Sequence, residues 1–261
     1  MNNPYKRKQI HGYKVTITGA AGSLGRAFVK YLHKDNEVIA LDNNEWALAS
    51  LKNEYPDVKC ILKDFVDYRF NQEPTQLLIH CGAYKHVDLG EHNPHSFIEN
   101  NITKTGKLFA ECFKHSVDFL FISTDKAVEP ISTYGFTKAL GEKLAWHYHG
   151  SVARLGNILN STGSVIPVWE DAILHHKPIP ITSWEMKRFV IEADDAVKYL
   201  WEHFLKGDSL IVPEGMKEEK LEDLLKQVLK KHNLEFADKF KIIGLRPGEK
   251  TREKLKWDYE E

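Results

Sequence analysis

Tyr134 and Lys138 stand four residues apart in a stretch, 134–148, whose apolar spacing predicts a helix, so both side chains leave one face. A lysine cation beside a phenol lowers its pKa from the ordinary value of about 10 and makes it a usable base near neutral pH. The same spacing occurs in many helices as an exposed, idle pair. The scaffold that delivers the helix decides between the two.

That scaffold begins at residues 13–18, a short β-branched run followed by a glycine-rich turn and the apolar-periodic stretch 24–32. Strands are predicted at 37–42, 58–62, 77–81, 119–123 and 152–155, with helices at 45–51 and 94–113 and at the Tyr134 stretch. Each strand run is short and almost wholly apolar, as a parallel sheet covered on both faces requires. The alternation predicts an α/β fold, a Rossmann doubly wound parallel sheet. Beyond about Ser164 the alternation is broken by Pro167, Pro178 and Pro180, with helices expected at 165–175, 194–205 and 218–231. This predicts a small, partly interleaved C-terminal substrate-binding lobe, 161–261, on a dinucleotide-binding domain, 1–160, that carries the catalytic residues.

Gly19, Gly22 and Gly25 lie between the first strand and first helix, where backbone must approach a pyrophosphate and the helix start at Ser23 and Leu24 faces its charge. Alone, such a triplet also fits an ordinary turn. Asp42 ends the second strand about 20 residues on, where a carboxylate accepts hydrogen bonds from the adenosine ribose and repels a 2′-phosphate. Its plain alternative is a helix cap. Asp64, past the third strand, either meets the adenine edge or caps a turn. The cofactor expected is NAD, with NADP as the alternative, and Lys138 is then placed to reach the nicotinamide ribose.

At the carboxyl end of the fifth strand the chain reads Ser123-Thr124-Asp125-Lys126, with Asp125 nine residues ahead of Tyr134. Further stretches are HCGAYKHVD from His80, NNITKTG from Asn100, RLGNILNSTGSVIP from Arg154, MKRFVI from Met186 and RPGEKTRE from Arg246. With these, the chain from Lys14 to Glu253 resembles the UDP-N-acetylglucosamine 4,6-dehydratases of bacterial surface polysaccharides and flagellin sugars. They belong to the extended branch of the short-chain dehydrogenase/reductase superfamily. The resemblance implies a hydro-lyase that converts a UDP-hexose to its 4-keto-6-deoxy sugar by transient C4 oxidation, water elimination across C5 and C6, and hydride return to C6. It assigns Tyr134 as base at the C4 hydroxyl, Thr124 as a hydrogen-bond partner of that hydroxyl, Lys126 as the C5 base and Asp125 as proton donor to the departing C6 hydroxyl. An exposed salt bridge is the plain alternative for Asp125 and Lys126. It also places the nucleotide diphosphate near Ser164, Val165 and Arg246, the last suited to bidentate phosphate contact, with Asn157 as a further substrate contact. Lys85 and Arg188 are basic candidates that fit a solvated surface equally well, and Asn101 is expected to organise active-site backbone or a water.

Two rivals stand beside this reading. A 4-epimerase on the same fold would use Tyr134 without Asp125-Lys126, a pair that ordinary epimerases lack. A dinucleotide-sensing protein without turnover would have no use for an intact Thr124, Tyr134 and Lys138. A formal net charge of -1 gives no reason to expect nucleic acid or an acidic membrane as partner. Three cysteines, read as buried core thiols, argue for a reducing compartment. The polar start and the lack of an apolar run of about 20 residues predict a soluble cytoplasmic protein. His147 and His149 do not share a helix face and His175-His176 is no better, so no metal is expected. Relatives continue beyond RPGEK whereas this chain ends at Glu261, which is expected to affect lobe closure, and the charged stretch 249–261 is expected to be partly exposed. The superfamily default is a homodimer or higher homo-oligomer.

Overall fold

Runs with no polar face have nothing to offer water, and in the computed structural model, which describes residues 11–161, 163–235 and 240–258, they fill the middle of a parallel sheet. Residues 1–10, most of the polar start, lie outside the described residues. The first half runs β1 (Lys14–Thr18), α1 (Ser23–Leu32), β2 (Glu37–Asp42), α2 (Glu45–Glu54), β3 (Lys59–Leu62), β4 (Leu77–His80), α3 (Val87–His92), α4 (Pro94–Ile98), α5 (Thr105–Lys114), β5 (Asp118–Thr124) and α6 (Thr133–His147). It continues with β6 (Ser151–Leu155), β7 (Asn157–Ile158), α7 (Val165–Leu174), β8 (Ile179–Ile181), β9 (Lys187–Ile191), α8 (Ala193–Lys206), β10 (Leu210–Ile211), β11 (Lys217–Lys220), α9 (Leu221–Lys231) and β12 (Phe240–Ile242).

The main sheet is parallel throughout, in the order β10-β6-β5-β4-β1-β2-β3. Strand order reverses between β1 and β4, so the crossovers there leave on opposite faces and a crevice opens beyond the carboxyl ends. Val15, Ile17, Ala40 and Ile79 are fully buried along these strands. The smaller lobe pairs β11-β9-β7 and β12-β8 and encloses Trp169, Ile181 and Leu225 between α7 and α9. The chain crosses between the two: α8 and β10 return to the main sheet, where Trp201 and Phe204 join the core that holds Phe28 of α1.

Two elements differ from the sequence expectation. The helix expected over 94–113 is interrupted by a π-helical turn, Glu99–Lys104, between α4 and α5. The wider turn rotates Asn101 inward, where its amide oxygen accepts from Tyr84 N–H at 2.9 Å and its amide nitrogen donates to Tyr84 O at 2.8 Å and Thr137 Oγ1 at 3.1 Å. The helix expected from 218 starts instead at Leu221, because residues 217–220 pair antiparallel with β9. Of the three thiols, Cys112 is buried as expected, whereas Cys60 and Cys81 are only half-buried.

One buried polar group ties β5, β6 and α6 together, and another ties β4 to β1 and α5. Arg154 donates Nε to Glu142 Oε1 at 2.9 Å and Nη2 to Oε2 at 2.7 Å, while Ser123 Oγ donates to Oε1 at 2.6 Å. Both charged side chains are sealed from solvent, which is tolerable because the guanidinium and carboxylate meet as a fork. His80 bridges Thr18 Oγ1 at 2.6 Å and Thr105 Oγ1 at 3.1 Å, and burial, helped by the Lys138 charge, pushes its imidazole down to about 3. Between pH 6.5 and about 3 the unfolded chain binds a proton there that the folded chain refuses, so stability falls as pH falls through this window. The contribution is up to about 1.4 kcal/mol per pH unit. Thermal melting followed from pH 7 to pH 4 is expected to show a shallower acid decline in His80→Asn than in the unaltered protein; equal slopes would remove His80 as a cause.

Candidate active site

A cleft of about 830 Å³ opens at the carboxyl ends of the main sheet and is walled on its far side by the smaller lobe. Its first half is made by the turn between β1 and α1. Gly19 has φ +64°, and a Cβ there would lie 2.7 Å from Gly82 N; a Cβ on Gly25 would lie 2.3 Å from Gly19 O. Only hydrogen fits at these points. Gly22 caps α1 without any side-chain bond and the first turn carries no acidic residue, so the helix start at Ser23 and Leu24 meets the cleft with its positive end uncompensated. Asp42 accepts from Ala21 N–H at 3.0 Å through Oδ2 and from Asn44 N–H at 2.9 Å through Oδ1, fixing a carboxylate at the cleft edge. The cap of α2 is Asn44, which accepts from Ala47 N–H at 3.0 Å, so Asp42 is not spent on capping that helix. Of its two readings Asp64 takes the turn cap: it accepts from Val66 N–H, pairs with Lys104 at 2.5 Å and does not line the cleft, where Lys63 and Phe65 stand instead. The glycine cradle, bare helix start and carboxylate fit a nicotinamide dinucleotide.

The second half is carried by β5 and α6. Ser132 Oγ accepts from Gly135 N–H at 3.0 Å and Glu91 Oε1 accepts from Thr133 N–H at 2.7 Å, which starts α6 at the cleft mouth. Gly135 is required because a Cβ there would sit 2.4 Å from Lys126 O; α6 therefore rests directly on the turn after β5. Tyr134 and Lys138 both line the cleft, but the pKa of the phenol is raised rather than lowered as expected. Lys138 Nζ donates to Ile122 O and lies 3.9 Å from the Phe121 ring centre, and burial pushes its amine down to about 7, opposed by the Glu142 and Cys81 charges. Burial pushes the Tyr134 phenol above its ordinary range, and the Asp125 charge adds to this, against the hydrogen bond with Thr124.

Thr124 Oγ1 donates to Asp125 Oδ1 at 2.9 Å, and Lys126 Nζ lies 3.0 Å from the same oxygen. This pair is no exposed salt bridge: Asp125 is 0% exposed, and its Oδ2 has no hydrogen-bond partner among the described residues. Thr124 and Lys126 line the cleft, whereas Asp125 stands behind them, one layer deeper than direct protonation of a substrate hydroxyl would need. Glu253 completes the group, with Oε1 3.5 Å from Lys126 Nζ. Sequence reasoning missed it because it lies in a run of charges expected to be exposed; it is 3% exposed.

Among the expected substrate contacts, Lys85, Asn157, Ser164 and Arg246 line the cleft. Burial pushes the Lys85 amine down, and Ser164 Oγ, at the start of α7, is buried without a hydrogen-bond partner among the described residues. Val165 and Arg188 do not line it. Val165 packs against the small-lobe core, and Arg188 donates Nη1 to Lys187 O and Thr251 O and Nη2 to Lys250 O, clamping the segment after Arg246 onto β9.

A glycine cradle at the switch point, with a Tyr-Lys pair on the helix after β5, defines an extended short-chain dehydrogenase/reductase. Residues 15–261 match the polysaccharide biosynthesis protein family, and the chain belongs to it. Its relatives include an uncharacterized membrane protein of Methanocaldococcus jannaschii, 35% identical over 98% of this chain and 82% of the relative. They also include a UDP-N-acetylglucosamine 4,6-dehydratase (inverting) of Campylobacter jejuni, 33% identical over 92% of this chain and 76% of the relative. Among solved structures, DesIV, the dTDP-glucose 4,6-dehydratase of Streptomyces venezuelae with NAD bound, superposes with a TM-score of 0.84 at 21% identity, over 93% of this chain and 88% of that one; at this identity the likeness is one of fold. Among the described residues no helix is long and apolar enough to cross a membrane.

Gly25→Ala forces the Gly19 carbonyl to move out of the cradle. Fluorescence titration is expected to show dinucleotide affinity reduced by roughly tenfold or more, from an overpacking strain of about 1–3 kcal/mol. Unchanged affinity would mean that the cradle does not hold the pyrophosphate.

Proposed function

We propose that the protein is an NAD-dependent nucleotide-sugar 4,6-dehydratase acting on a UDP-hexose, UDP-N-acetylglucosamine first among them. One observation carries this reading: Lys126, held by Asp125 at 3.0 Å, stands at the cleft wall beside Tyr134 as a second acid–base centre. A 4-epimerase moves hydrogen at C4 alone and has no use for that centre. Elimination needs it, because C5 must lose a proton while C6 loses hydroxide.

The residues that would hold the dinucleotide are the cradle from Gly19 to Gly25, Asp42 and Lys138. When bound, the dinucleotide supplies a hydride acceptor at C4 and a hydride donor at C6. Tyr134 takes the proton of the C4 hydroxyl, oriented by Thr124; its raised pKa means that the phenol works only once a positive charge stands near it. With C4 a ketone, the C5 hydrogen is acidic and Lys126 removes it. The proton for the leaving C6 hydroxyl comes from Asp125, whose contact with the cleft runs through Thr124 Oγ1 and Lys126 Nζ. Lys85, Arg246 and the start of α7 at Ser164 supply cationic and N–H groups for the diphosphate, and Asn157 adds a polar group. Asp42 disfavours a 2′-phosphate, which supports NAD over NADP. Exposed Ile98, Phe136 and Leu140 support a homodimer, and free thiols with balanced charge support a cytoplasmic site of action.

Incubation with UDP-N-acetylglucosamine deuterated at C4 is expected to give, by NMR, a new C6 methyl signal carrying the label. A UDP-N-acetylgalactosamine product would instead establish epimerisation. Lys126→Ala should lower methyl formation by at least roughly 100-fold while dinucleotide binding persists. In parallel titrations NAD should bind more tightly than NADP; the reverse order would overturn the role of Asp42.

A further inference from the structure

We propose that Glu253 is a positioning residue for Lys126, acting through its charge on the ammonium that forms when the lysine takes the C5 proton; the step it serves rests on the dehydratase reading above. Glu253 is 3% exposed, and a buried carboxylate is retained only against cations or donors. It has two cations in reach. Oε1 lies 3.5 Å from Lys126 Nζ, and Oε2 lies 2.8 Å from Lys250 Nζ. The second contact is close but poorly aligned, for Oε2 has no hydrogen-bond partner among the described residues while Lys250 Nζ donates to Val128 O at 2.9 Å and Glu129 O at 3.1 Å. Lys250 therefore offsets the carboxylate through space without saturating it.

The segment that carries Glu253 is fixed for this purpose. Arg188 Nη2 donates to Lys250 O at 2.8 Å, Lys187 N–H donates to Thr251 O at 2.9 Å, and Arg154 Nη1 reaches Leu255 O at 3.4 Å. Strands β9 and β6 thus grip the backbone on either side of one glutamate and press its side chain against the turn after β5.

The proton balance shows what the charge does. Before elimination Asp125 is protonated and Lys126 neutral. The C5–H bond then breaks, its electron pair forms the C5–C6 double bond, the C6–O bond breaks, Lys126 takes the C5 proton, and Asp125 passes its proton to Thr124 Oγ1 as that hydroxyl gives its own to the leaving hydroxide, making water. Lys126 ends as an ammonium between two carboxylates, which is the ion-paired arrangement of the structure. A fixed negative charge at Glu253 stabilises the cation developing on Lys126 and does nothing for oxidation at C4.

Two variants test this in the full chain with bound dinucleotide. Glu253→Gln is expected to lower kcat for the 6-methyl product by roughly 100-fold, with KM for the UDP-sugar nearly unchanged. Oxidation at C4 should continue, so the near-ultraviolet absorbance of reduced dinucleotide accumulates during turnover. Without any substrate, acetic anhydride labelling of Lys126, read by peptide mass spectrometry, should become several-fold faster in Glu253→Gln and slower in Lys250→Gln, where the whole carboxylate charge falls on Lys126. A packing role alone would move both variants in the same direction, and that result, or unchanged labelling in both, overturns the proposal. If Glu253→Gln does not fold, the direction of change in Lys250→Gln decides. Failure of the unaltered enzyme to form a 6-methyl product would sink the dehydratase reading and leave the labelling result standing.

Discussion

The ion pair of Asp125 with Lys126 constrains everything built around it. A carboxyl group with no exposure depends on the donors packed against it, and here Thr124 and Lys126 converge on one oxygen while the other has no hydrogen-bond partner among the described residues. Such a group must sit where backbone geometry is dictated from several sides. The end of β5 is such a place: the strand has β4 and β6 as parallel neighbours, and Gly135 lets α6 lie against the carbonyl of Lys126 itself. The C-terminal segment then folds back over the turn and closes it with Glu253. One ion pair at a strand end thus requires the middle of the sheet, the approach of the next helix and a crossing from the other lobe.

The electrostatic state of the free protein follows from the same burial. Lys138, pushed down to about 7, holds a proton only partly near neutrality and turns to the Ile122 carbonyl, while the Tyr134 phenol is pushed up. Both are shifted toward their neutral forms by desolvation, so a single incoming positive charge favours the phenolate directly. The Tyr134-Lys138 half of the site is thus governed by desolvation, whereas the Asp125-Lys126-Glu253 half is governed by contacts between opposite groups.

Most of the fold was legible in the sequence because parallel strands sealed on both faces leave no alternative reading: 37–42 coincides with β2, and 152–155 falls one residue short of β6. The break at Glu99–Lys104 was not legible. Asn101 is expected to organise backbone, but nothing in the spacing of 94–113 shows that a wide turn buries it, since the Tyr84 backbone and Thr137 hydroxyl it meets are distant in the chain. Spacing revealed the cradle and the Tyr134-Lys138 pair, since both are set by local geometry. It could not reveal that Asp64 is spent on Lys104 or that Arg188 grips backbone carbonyls, because a charge and its distant partner leave no periodic trace. Glu253 was hidden for the same reason, within a stretch whose composition alone suggests solvent.

Arg188 and Arg154 show how the interleaved chain makes the site robust. Arg154 lies in β6 and is locked by Glu142 of α6, so its reach to Leu255 O transfers the rigidity of the main core to the C-terminal segment. Arg188 lies in β9 and applies the rigidity of the smaller lobe to Lys250 and Thr251, a few residues upstream. A carboxylate gripped from both lobes changes its distance to Lys126 if the lobes move apart. Lobe position and the charge environment of the second acid–base centre are therefore one mechanical variable, while the Tyr134-Lys138 pair, carried entirely on α6, does not share it. The contacts among 124–126 and 253 therefore depend on both lobes, while Tyr134 and Lys138 depend on one helix.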